Sequence, residues 1–118
     1  MDLEQLRTYC LSRPGAVEDF PFGPETLVVK VGGKMFALIS LDETPLRINL
    51  KGDPNDNEFL RQQFPAVIPG YHMNKRHWNT IILDGSLSDD FILDQIDNSY
   101  RIVFESLPWK VRDSIKSP

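Results

Sequence analysis

Between Pro69 and Trp78 the chain reads Pro69-Gly70-Tyr71-His72-Met73-Asn74-Lys75-Arg76-His77-Trp78. Both histidines, a Lys-Arg pair, a tyrosine and one of the two tryptophans are crowded here, groups that bind phosphate, stack on bases or exchange protons. No Asp or Glu stands between Phe59 and Leu83, although the whole chain has a formal net charge of −4. A second cationic stretch runs from Thr26 to Gly52, where Lys30, Lys34, Arg47 and Lys51 outnumber Asp42 and Glu43. Cations clear of carboxylates are available to an external anion, so local charge decides more here than the sum.

The chemistry that suits these residues is binding. Lys75 and Arg76 on a hairpin tip would contact phosphates, Lys34, Arg47 and Lys51 would extend the charge, and Trp78 or Tyr71 would stack on bases. Asn74, His72 and His77 complete the candidate surface. His72 and His77 supply two of the three or four ligands a metal site needs, so no metal is assigned. Cys10 lies on an apolar helical stripe, as a structural cysteine does. Gly32-Gly33-Lys34 lacks the phosphate-loop spacing and precedes a strand. No catalytic residue, enzyme activity or cofactor is therefore expected.

At 118 residues, with 41% hydrophobic and 25% charged side chains, the chain fits one globular domain, read as residues 1–108 with a short basic tail over 109–118. The one cysteine forms no internal disulfide, the first residues do not resemble a signal peptide, and no apolar run reaches the roughly 20 residues of a membrane span. A cytoplasmic monomer is the expectation.

Local signals place the elements that must carry this surface. Asp2 with Gln5 opens a helix over residues 2–11, Asp53-Pro54 a second and Ser88 a third, the last with a core stripe of Ile92, Ile96, Tyr100, Val103 and Leu107. Phe59, Leu60 and Phe64 are the apolar positions of the second. Leu27–Val31 and Lys34–Leu41 read as strands joined at Gly32-Gly33, and Leu46–Lys51 alternates strictly. Pairing Leu41 with Leu46 would put Lys34, Phe36 and Ser40 on the face of Arg47, unless a bulge intervenes. Two short strands, about 67–73 and 77–83, complete the order α-β-β-β-α-β-β-α. That order predicts an α+β, two-layer sandwich: an antiparallel sheet with helices on one face and the other face open to a partner.

Several stretches together resemble the MmcQ/YjbR family: Pro21-Phe22-Gly23, Gly33-Lys34-Met35-Phe36-Ala37, Asn49-Leu50-Lys51, Pro69-Gly70-Tyr71-His72 with Asn74-Lys75 and His77-Trp78-Asn79, and Ser99-Tyr100. The resemblance spans about the whole domain. It implies a compact α+β domain of the secretion-chaperone-like type and a DNA-binding role through a "double wing" of hairpins, RNA being an alternative. A protein-binding adaptor, using Phe36 on the open face and the Phe20–Gly23 loop, is the competing expectation.

Overall fold

The computed structural model describes residues 1–70 and 73–116. Helix α1 (Leu3–Leu11) opens with the expected capping box, in which the Asp2 carboxylate accepts from the Gln5 N–H and the Gln5 side chain accepts from Asp2 N. Strand β1 (Val17–Asp19) follows, then β2 (Thr26–Val31), β3 (Lys34–Ser40) and β4 (Arg47–Lys51). Helix α2 (Pro54–Gln63) is capped by Asp53 with proline in its first turn. Strands β5 (Val67–Pro69) and β6 (Trp78–Ile82) precede α3 (Asp89–Glu105), capped by Ser88, and α4 (Trp109–Lys116).

The six strands form one antiparallel sheet in the order β1-β2-β3-β4-β6-β5. Leu6 and Cys10 of α1 and Ile92, Ile96, Val103 and Phe104 of α3 pack on one face of it, and Leu60 of α2 and Phe64 just after that helix join them. The expected two-layer α+β arrangement is thus present, with two elements that sequence patterning did not supply. The short β1 adds an edge strand beside β2. The segment expected as a short basic tail instead forms α4, whose Val111 and Ile115 pack against the core.

The β2–β3 hairpin contains the bulge on which the face assignment depended. Val29 pairs with Ala37 but Lys30 pairs with Met35, which leaves Phe36 as the extra residue. Ser40 pairs with Arg47 and shares its face as expected. Beyond the bulge the faces exchange: Phe36 is fully buried under the helices, edge-on to Tyr100, and Met35 packs with Val28, Leu38 and Trp78 on the other side. Lys34 pairs with Val31, a residue of the helix-side core, so its register is not that of Arg47.

Ser99 of α3 repairs the ladder at this point. Its buried hydroxyl donates to the Phe36 carbonyl at 2.6 Å and accepts from the Lys51 N–H at 2.9 Å. Ala37 pairs with Leu50, so Phe36 and Lys51 are where the next β3–β4 bonds would form. One hydroxyl takes the place of the bonds that the bulge removes.

Candidate functional site

The connection from β5 to β6 carries the cationic pair, and its backbone is held from several directions. Asn74 shapes the turn: its side chain accepts from Arg76 N at 3.0 Å, and its carbonyl accepts from the N–H groups of His77 and Trp78. From α2, the buried Asn57 amide donates to the carbonyls of Gly52 and Arg76, and the Arg61 guanidinium donates to the carbonyls of Lys75 and Trp78 and to Asn79 Oδ1. Asn79 donates back to Asn57 at 3.3 Å, while Gly52 N donates to the His77 carbonyl at 2.9 Å. A side chain at Gly52 would collide with the Asn57 amide.

These bonds occupy the backbone and leave the side chains of Asn74, Lys75 and Arg76 exposed and that of His77 half-buried. Asn57 takes the inward position on α2 for this purpose. Phe59, expected as an apolar core position, is 59% exposed instead.

The sheet register separates the predicted cations into two places. Lys51 pairs with Trp78 at the end of β4 that adjoins the Lys75-Arg76 turn, and Lys34 lies at the β2–β3 hairpin of that same end. Arg47 pairs with Ile82 at the opposite end, four residues or roughly 13 Å along the strand from Lys51. Lys34, Lys51, Lys75 and Arg76 therefore share one end of the sheet, Lys34 in the register of the helix-side face, and Arg47 stands at the other end. Lys30, which sequence reading left out of the site, comes near this end but pairs with Asp19 of β1 at 2.9 Å. The carboxylate that meets Lys30 comes from the edge strand.

Trp78 is only 8% exposed and packs with Val28, Leu38, Met35 and Met73. No ring face is left for a base, so the stacking role expected of it is withdrawn. Tyr71 and His72, also among the expected contacts, lie outside the described residues. Phe36, assigned to the open face in the adaptor reading, is in the helix-side core because of the bulge. Phe22 is 63% exposed and Phe20 42%.

Other reactive groups are committed to the fold. Burial pushes the Cys10 thiol up to about 12, so it stays protonated at neutral pH. Ser99 uses its hydroxyl as both donor and acceptor within the sheet. Tyr9 donates to the Asp97 carboxylate at 2.7 Å, and burial is the first cause that raises its pKa. Among the described residues, no three His, Cys, Asp or Glu side chains gather to hold a metal ion. Among the same residues, no helix is long and apolar enough to cross a membrane.

The model of the YjbR family matches residues 11–102. The chain belongs to the YjbR family. It is 37% identical over 112 residues to YjbR of Escherichia coli K12, which covers 95% of each chain. YbdF of Escherichia coli O157:H7 is 39% identical over 105 residues, covering 88% of this chain and 85% of that one. A Deinococcus radiodurans crystal structure with a DUF419 domain superposes with a TM-score of 0.91 at 38% identity, covering 98% of this chain and 88% of that one. A Pseudomonas syringae protein superposes with a TM-score of 0.76 at 27% identity, over 87% of this chain and 99% of that one. The likeness to these solved structures extends the fold across nearly the whole domain. Part of the YjbR-like signature has a structural task here: Asn74 and Asn79 hold the turn, and Ser99 closes the bulge.

Proposed function

We propose that this YjbR-family domain is a non-enzymatic, cytoplasmic monomer that binds DNA weakly through its phosphate backbone. The contact surface is the sheet end carrying Lys34, Lys51, Lys75 and Arg76. The observation that carries this reading is the pinned turn: the Lys75 carbonyl and the Arg76 carbonyl are held by α2 while both side chains face solvent. A cation presented from a fixed backbone loses less conformational freedom on meeting a phosphate. Between Phe59 and Leu83 no carboxylate competes for it.

About four phosphate contacts on a body of net charge −4 support micromolar or weaker affinity with little sequence preference. Fluorescence anisotropy of a labelled DNA duplex at about 20 mM salt tests this. Binding that weakens at least several-fold in Lys75→Ala/Arg76→Ala is expected. Absence of binding, or equal binding by the double variant, would remove the proposal.

A further inference from the structure

The sheet face turned away from the helices contains a cavity of about 350 Å³ at the Arg47 end. The register builds its floor. Thr26, Ser40 and Arg47 form one cross-strand row, and Leu38, Asn49 and Thr80 form the next. Phe22 from the Phe20–Gly23 loop and Met73 close the sides with apolar surface, and Glu43 of the β3–β4 turn completes the lining.

The polar groups there are arranged as in a binding site. Arg47 Nε is buried without a hydrogen-bond partner. Arg13 Nε and Arg112 Nε share that state, but Arg47 alone stands among these hydroxyls, the Asn49 amide and three apolar side chains around one cavity. The Thr80 hydroxyl donates to Asn49 Oδ1, which turns the amide nitrogen into the donor end of that group. The Arg47 side chain lines the cavity, so its guanidinium offers charge-assisted donors to an occupant with an oxygen. The cavity volume is at the low end for small-molecule sites, room for one or two rings.

We propose that this cavity binds a small organic monocarboxylate with an aromatic-sized apolar body. The ring lies among Phe22, Leu38 and Met73, and the carboxylate accepts from Arg47. Glu43 in the lining opposes a second negative charge, which selects a monoanion over a dianion such as a phosphate monoester. The site does not use Lys34, Lys51, Lys75 or Arg76, so it stands or falls separately from the nucleic-acid reading.

The test titrates the ¹⁵N-labelled full chain by two-dimensional NMR with 2-naphthoate and, separately, with its neutral analogue 2-naphthamide. Naphthoate is expected to shift the amides of Leu38, Asn49 and Thr80 and to bind about tenfold more tightly than the amide. In Arg47→Gln, with folding checked by circular dichroism, that preference disappears. Comparing the two probes on the native protein decides even if the variant does not fold. No shifts at about 2 mM naphthoate, equal binding of both probes, or shifts centred on Lys75 and Arg76 would each overturn the proposal.

Discussion

Ser99 and Cys10 show how residues of apparent chemical interest can belong to the fold. The Ser99 hydroxyl satisfies two backbone groups that the Phe36 bulge leaves without ladder partners. Ser99→Ala removes both bonds while the buried carbonyl and N–H remain, a loss of about 1–3 kcal/mol. Urea denaturation measures it, and an unchanged midpoint would show that the hydroxyl is dispensable. For Cys10 the sign follows from its raised pKa. The unfolded thiol ionises from about 9 upward while the folded one stays protonated to about 12, so this group removes stability across that interval and contributes nothing below it. Cys10→Ala, though destabilised at neutral pH by the methyl-sized space it opens, should lose stability less steeply than wild type between pH 8 and pH 11. Parallel losses in denaturation series would contradict the assignment. Asp2, Asp53 and Ser88 were legible as caps because a cap bonds within its own first turn. The tasks of Asn57 and Arg61 were not, since apart from Gly52 their partners lie 14 to 22 residues away and no periodicity marks a polar bond.

At the scale of elements, α2 acts as the clamp on the cationic turn. Arg61 joins the carbonyls of Lys75 and Trp78 to the Asn79 side chain, and Asn57 joins Gly52 to Arg76. Arg61→Ala should loosen the turn by about 1–3 kcal/mol, the cost of removing a charged donor shared by three acceptors, of which the part-buried Asn79 Oδ1 loses its guanidinium partner. Amide hydrogen exchange reads this directly: protection of His77 and Trp78 should fall while that of Val29 and Ile39, in the sheet centre, is kept. Equal loss everywhere would mean that Arg61 supports the whole domain and not the turn. Strand pairing was legible wherever short turns dictated it, as at Gly32-Gly33 and between Leu41 and Leu46. The bulge was not, because Phe36 is as apolar as its neighbours and either face would accept it. That single inserted residue moved Phe36 from the open face to the core and brought Met35 out beside Trp78. Helix α4 was hidden by its length and by the basic side chains beside Val111 and Ile115.

Across the whole molecule, the helices take one face of the sheet, and its strands run between two distinct ends. One end presents Lys34, Lys51, Lys75 and Arg76, and the other encloses the Arg47 cavity. Charge spacing in the sequence identified the cations, but only the register could divide them. In the proposed function the first end meets phosphate. The most direct measurement is the salt dependence of duplex-DNA affinity for wild type and Lys75→Ala/Arg76→Ala. Four contacts predict a slope of log affinity against log salt of roughly −3 to −4, reduced to about −2 in the double variant. A slope near zero, or one that the two substitutions leave unchanged, would contradict it.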